Sequence, residues 1–279
     1  MQTSIFTLNC NGKLITINHP IVMGIINTTP DSFYADSRKN TVEASLMQAE
    51  KMLQQGAAII DIGGQSTKPN SLKIDTVEEL QRVIPSIEAV KKRFPDCIIS
   101  IDTFNATVAA EAIQAGASIV NDVSGGLMDV GMISTVAQFN VPYICMHMKG
   151  TPQNMQQNPL YENVTKEVLD YFIERTNTCS QAGIQDMIID IGFGFGKTIA
   201  HNFQLLRELS VFKILQKPIL IGVSRKSTIY KTLGITTEEA LNGTTVLHTI
   251  GLMNGANILR VHDVKEAVEC VQLFKAYQA

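Results

Sequence analysis

The sequence predicts an α/β fold: a single (β/α)8 barrel over residues 1–279, with its active site at the C-terminal ends of the strands. Three observations predict it. Eight short runs rich in Ile and Val alternate with helix-like segments. Strands joined by helices must be parallel and buried on both faces, so they read as unbroken apolar runs. The chain has 279 residues, close to the length of about 250 that such a barrel needs. No Pro/Ser-rich or charged linker divides it, and its only internal repeat is the β/α unit itself.

Each unit has its own justification. After a short N-terminal stretch given no element, the first strand is Ile21–Asn27, which empties into Thr28-Thr-Pro-Asp-Ser-Phe33. A helix over 42–55 carries Leu46, Ala49 and Leu53 on one stripe and stops at Gly56. The second strand, 57–62, bears Asp61 and leads into Gly63-Gly-Gln-Ser-Thr-Lys-Pro69. Thr76 with Glu79 reads as a capping box for the next helix, within which Pro85 marks a kink or a new start. The third strand is 97–102, a helix covers Ala106–Ala115, and the fourth strand is 118–121. A helix over 128–139 leads to the fifth strand, 141–146, and a long helix over 161–181 stops at Gly183. The sixth strand, Met187–Asp190, runs into three glycines before Lys197, the pattern of a buried strand with its exit loop. A helix over 202–209 precedes the seventh strand, 218–223. Thr236 and Glu239 cap a helix running to Asn254, the eighth strand is 257–261, and Asp263 with Glu266 starts the last helix.

Composition narrows the function. Apolar residues make up 45% of the chain and the net charge is −3, so a large core can form. Nothing general attracts nucleic acid or an anionic membrane, and any anion must be met by a local cluster of cations. Residues 1–20 lack a basic stretch followed by an apolar one, and no apolar run approaches the roughly 20 residues that span a bilayer. Five scattered cysteines without C-x-x-C spacing imply a reduced, cytoplasmic setting, with Cys97 and Cys145 as small buried hydrophobes.

In such barrels the site is built where the strands end. The strand ends here offer Asn27, Asp61, Asp102, Asn121 and Asp190, then Ser224-Arg-Lys226 and Arg260-Val-His262. Alternation along a strand sends Arg260 and His262 one way, and Gly222, Ser224 and Lys226 likewise, while Arg225 and Asp122 point away. Asp102, Asn121, Asp190 and Lys226 suit a flat, nitrogen-rich heterocycle, because carboxylates accept paired N–H bonds, Asn does both and Lys donates. Arg260 and His262, with Lys68, form a cationic group suited to phosphate. Asn27 offers a hard oxygen to a Mg²⁺ ion shared with phosphates. Each has a blander reading: a strand-end Asp is often structural, Asn27 can cap a turn, and His147 reads best as a hydrogen-bonded structural histidine. Gly-Phe-Gly-Phe-Gly-Lys197 lacks the dinucleotide-binding spacing. Convergence of so many polar groups on one rim is what favours chemistry.

Those residues also carry a resemblance. Met23-Gly-Ile-Ile-Asn-Thr-Thr-Pro-Asp-Ser-Phe33, Asp61-Ile-Gly-Gly-Gln-Ser-Thr-Lys-Pro69, Ile101-Asp-Thr103 and Asn121-Asp-Val-Ser-Gly-Gly126 appear in order. They continue with Met146-His-Met148, Asp190-Ile-Gly-Phe-Gly-Phe-Gly-Lys197, Ser224-Arg-Lys-Ser227 and Arg260-Val-His-Asp-Val264. With these the chain resembles the bacterial dihydropteroate synthase family along essentially its whole length. The resemblance implies a transferase of folate biosynthesis that joins (7,8-dihydropterin-6-yl)methyl diphosphate to 4-aminobenzoate with Mg²⁺, a sulfonamide target and a homodimer. It implies that Asp102, Asn121, Asp190, Phe195 and Lys226 hold the pterin. Thr67, Arg260 and His262 would meet the diphosphate, and Asn27 the metal. Thr28 to Phe33 and Ser66 to Pro69 resemble two mobile loops that complete the aminobenzoate site. Gln65-Ser-Thr-Lys-Pro-Asn70 departs from the usual Glu-Ser-Thr-Arg-Pro-Gly: Lys68 keeps the charge and loses the bidentate fork. Asp190-Ile-Gly192 replaces Asp-Pro-Gly, and Tyr34-Ala-Asp-Ser-Arg38 lacks the common Asp-Gly-Gly.

The chemistry expected is departure of diphosphate, aided by Arg260, His262, Lys68 and Mg²⁺, from a pterin whose positive charge Asp102 and Asp190 offset. Three rivals share parts of this pattern. A methyltetrahydrofolate:corrinoid methyltransferase has no need of Arg260, His262 or the Thr-Pro-Asp-Ser-Phe loop. A Schiff-base lyase would use Lys226, and a pterin carrier would bind without turnover.

Overall fold

The computed structural model describes residues 5–28, 35–65, 74–151, 154–155 and 159–278, with residues 35–40 described by their backbone alone. The N-terminal stretch, given no element above, forms a hairpin. β1 (Phe6–Cys10) pairs antiparallel with β2 (Lys13–Ile17) across Asn11-Gly12, both in the left-handed region (φ 54° and 86°). An Asn-Gly pair is suited to that turn because both central residues need positive φ.

Eight parallel strands then close a barrel: β3 (Ile21–Asn27), β4 (Ile59–Gly63), β5 (Ile99–Asp102), β6 (Ile119–Asp122), β7 (Tyr143–Met146), β8 (Met187–Asp190), β9 (Ile219–Ile221) and β10 (Ile258–Val261). β10 returns to pair with β3, as the eightfold β/α repeat requires. Strand alternation decides the two faces. Val22, Ile60, Ile101, Val120, Ile189 and Leu259 face the helices in the main core. Met23, Ile59, Ile119, Ile144, Ile188 and Ile258 fill the lumen, where Leu8, Cys10 and Ile17 of the hairpin join them. The hairpin is therefore the plug at the N-terminal end of the barrel. Its apolar face had no other surface to bury against.

The helices are α1 (Ala35–Gln54), α2 (Thr76–Arg93), α3 (Ala106–Ala115), α4 (Met132–Phe139), α5 (Val164–Gln181), α6 (Ile199–Arg207), α7 (Ser227–Leu233), α8 (Leu241–Met253) and α9 (Val264–Gln278). α1 begins earlier than its apolar stripe indicated. α7 was not legible, being a single short segment after the seventh strand. α2 corrects two expectations. Its cap is Asp75, whose side chain accepts from the Glu78 N–H at 2.8 Å, while the Thr76 hydroxyl accepts from Asn105 Nδ2 at 2.7 Å. The helix also runs through Pro85 with no new start there, and Val83, Ile87 and Val90 on either side are fully buried against the barrel. Before α8, Glu239 does accept from the Thr236 N–H at 2.9 Å, but a 3₁₀ turn, Glu238–Ala240, intervenes. All five cysteines are free and buried. Among the described residues no helix is long and apolar enough to cross a membrane.

Candidate active site

Above the apolar lumen floor the inward positions turn polar. Register places Asp61 beside Ser100, Gly63 beside Asp102, Asp102 beside Asn121 and Met146 beside Asp190. The same parity brings Arg260 of β10 across the barrel to them. Its Nε donates to Asp61 Oδ2 at 2.6 Å and its Nη2 donates to Asp102 Oδ2. Asn121 Nδ2 donates to the same Asp61 oxygen at 3.1 Å. Asp190 Oδ1 accepts from the Gly192 N–H at 2.8 Å. The other oxygens of Asp102 and Asp190, and Arg260 Nη1, make no bond to a described residue. The described site thus keeps two carboxylate oxygens and one guanidinium nitrogen for a ligand.

Burial sets the protonation of this layer. It pushes the Asp102 carboxyl up to about 7, against the pull of Arg260 and with a contribution from Asp61. It also raises Asp190, which Lys226 opposes, and lowers the Lys226 ammonium to about 8, which Asp190 opposes. Burial works against the charge of Arg260 too, but Asp61 and Asp102 overcome it and raise its pKa. Asp102, Asp190, Lys226 and Arg260 are thus one electrostatic unit.

The loop after β8 shapes the wall. Lys226 donates to the Phe193 carbonyl, and its Nζ lies 4.4 Å from the centroid of the Phe195 ring. Phe195 packs with Phe104, Val123, Met128, Met146 and Met148, an apolar lining suited to the faces of a flat ring. Two glycines make this approach possible. A Cβ on Gly192 (φ +65°) would stand 1.8 Å from the His147 carbonyl oxygen, and one on Gly194 (φ +87°) 3.1 Å from Lys226 Cδ.

Lys197 is the residue that sequence reasoning missed here. It is 2% exposed, and its Nζ donates to the carbonyls of Gly192 and Phe195 at 3.0 Å while meeting His147 Nδ1 at 2.8 Å. It staples the exits of β7 and β8 together. His147 is the hydrogen-bonded structural histidine expected, kept neutral by burial and by Lys197. A signal was present: a lysine closing a glycine-rich exit loop has backbone carbonyls within reach.

At the rim, Asn27 is exposed at the end of β3 on the lumen parity. His262 lies beside Ser224, with its Nδ1 3.3 Å from that hydroxyl. Its outer edge is exposed at the rim, while burial of the inner side, then Arg260, lower its imidazole pKa. Arg260 is paired with two carboxylates, Asp61 and Asp102. Arg225 points outward as expected. It forms a fork to Asp263 at 2.8 and 3.0 Å and adopts φ 50°. Asp122 also points outward, bonding Ser124 and Tyr143. Thr67 and Lys68, with the two loops at 29–33 and 66–69, lie outside the described residues.

Comparison with known proteins agrees with this geometry. The family described as "pterin binding enzyme" matches residues 23–262. The dihydropteroate synthase of Haemophilus influenzae is 42% identical over 271 residues, 96% of this chain and 98% of that one. Among solved structures, Xanthomonas albilineans dihydropteroate synthase with 4-aminobenzoic acid superposes with a TM-score of 0.91 at 38% identity, covering 99% of each chain. The Yersinia pestis dihydropteroate synthase in a sulfonamide drug complex gives 0.92 at 39% identity, covering 98% of this chain and 99% of that one.

Proposed function

This chain belongs to the pterin-binding enzyme family, among the dihydropteroate synthases, and from that premise we propose how its residues carry the reaction. The activity is the joining of (7,8-dihydropterin-6-yl)methyl diphosphate to 4-aminobenzoate, giving 7,8-dihydropteroate and diphosphate. The free oxygens of Asp102 and Asp190, the amide of Asn121 and the ammonium of Lys226 hold the pterin edge, with Phe195 against its face. Arg260 Nη1, His262, Thr67 and Lys68 receive the diphosphate.

The path is dissociative. The methylene C–O bond breaks and its electron pair leaves on the diphosphate, where donors aimed at the growing charge lower the barrier. Asp102 and Asp190 offset the positive charge left on the pterin. The aminobenzoate nitrogen then bonds to the methylene and gives up a proton to the departing diphosphate or to solvent. No covalent bond to the enzyme forms. The carrying observation is the single lumen layer that unites Asp102, Asn121, Asp190, Lys226 and Arg260.

No group of three or more metal-ligating side chains occurs among the described residues. The exposed Asn27 amide at the mouth fits Mg²⁺, which takes few protein oxygens and prefers substrate phosphates and water. When bound there it would supply neutralisation of the diphosphate charge. Sulfonamides compete with 4-aminobenzoate at the rim. Free cysteines support a cytoplasmic setting. The enzyme is a homodimer: Val246, Ile250 and Met253 recur at helical spacing on α8 yet are 50%, 40% and 49% exposed, and Leu273 and Tyr277 do so on α9. Diphosphate release, followed with and without 4-aminobenzoate in Mg²⁺, tests the reading. Diphosphate release in the presence of the amine with no 7,8-dihydropteroate formed would sink it.

A further inference from the structure

Asp61 is assigned no contact with substrate above, yet it stands at the centre of the site's hydrogen bonds. It is fully buried, and its Oδ2 accepts both from Arg260 Nε at 2.6 Å and from Asn121 Nδ2 at 3.1 Å. That oxygen accepts from the guanidinium and offers no hydrogen of its own, so the end of the Asn121 amide that faces it is the NH₂. The carbonyl oxygen is thereby turned to the other side. Asn121 is 3% exposed, and its side chain makes no other bond to a described residue. Among those residues, Asp61 alone distinguishes the two nearly isosteric ends of that amide.

Orientation has a chemical consequence. With the amide so fixed, the oxygen of Asn121 joins the free oxygens of Asp102 and Asp190 as acceptors, and Lys226 remains the donor. Such a wall suits a ring that presents N–H groups. A 7,8-dihydropterin carries a hydrogen on N8, whereas the fully oxidised ring offers a bare lone pair there. Resting on the pterin reading of this site, we propose that Asp61 is a positioning residue that locks the Asn121 amide and so sets the pocket's preference for the reduced ring.

Two substitutions separate orientation from charge. Asp61→Asn keeps an oxygen able to accept from both Arg260 and Asn121 but removes the charge. Asp61→Ala removes the acceptor altogether. Binding of 6-hydroxymethyl-7,8-dihydropterin and of oxidised 6-hydroxymethylpterin is measured anaerobically on the full chain by calorimetry. The wild-type chain is expected to favour the reduced ring by at least about tenfold, the cost of one mismatched buried polar contact. Asp61→Asn should retain that ratio, and Asp61→Ala should bring it close to one. If the alanine variant does not fold, Asp61→Leu fills the space, and the Asn121→Ala chain must lose the same preference. A ratio that survives removal of the acceptor, or no preference in the wild type, overturns the role of Asp61 alone. A wild-type chain that binds neither ring and releases no diphosphate overturns the pterin reading itself.

Discussion

Lys226 and Asp102 share one buried site, and burial moves their pKa values toward each other. The carboxyl rises to about 7 and the ammonium falls to about 8. Below the first value Asp102 would take up a proton and, in the proposed mechanism, no longer offset charge on the pterin. Above the second, Lys226 would lose the proton that the proposal has it donate. The value of kcat/KM for the pterin substrate is therefore expected to peak between these limits and fall on both sides. A profile flat from roughly pH 6 to 9 would contradict it. Lys226→Ala should cost about a hundred- to a thousandfold in turnover and abolish the alkaline limb. Much of this chemistry was legible from strand parity alone, since Asp102, Asn121, Asp190 and Arg260 all sit on inward positions. The pairing of Arg260 with Asp61 was not. The two are 199 positions apart, and only closure of β10 onto β3 brings them together. The lowered pKa of His262 was likewise hidden, because it depends on burial at the rim and on the guanidinium beside it.

The exit loops of β7 and β8 form a second tier of control. Gly192 lies where a side chain would collide with the His147 carbonyl, and Lys197 bonds carbonyls on both sides of that contact. Gly192→Ala is expected to cost at least about 2 kcal/mol and to weaken pterin binding by displacing Phe195. Denaturant titration, set beside the KM for the pterin substrate, measures both. The hairpin puts no side chain into the polar layer, and its packing is tested through stability. Leu8 is 2% exposed among the lumen isoleucines, so Leu8→Ala should destabilise by roughly 2–4 kcal/mol while leaving kcat unchanged. The turn signal, Asn11-Gly12, stood in the sequence. The flanking runs alternate too imperfectly to have been read as strands, and their buried partner surface lies in eight other segments.

Across the whole molecule, eight β/α repeats with capping and stop residues made the barrel the most legible feature. Its outer surface is less so, because exposure of an apolar side chain becomes visible only once helices are packed. Val246, Ile250 and Met253 form one such stripe. Ile250→Glu is expected to convert the proposed dimer to monomers in sedimentation velocity, with the thermal midpoint becoming independent of protein concentration.

The stopper of Leu8, Cys10 and Ile17 makes the barrel a vessel with one opening. Whatever lies on its isoleucine floor must arrive first, and anything seated at the lip blocks the way out. Sequential kinetics are expected from that shape, with the bicyclic substrate loading before the aniline and the joined product leaving last, an order that product-inhibition patterns would check.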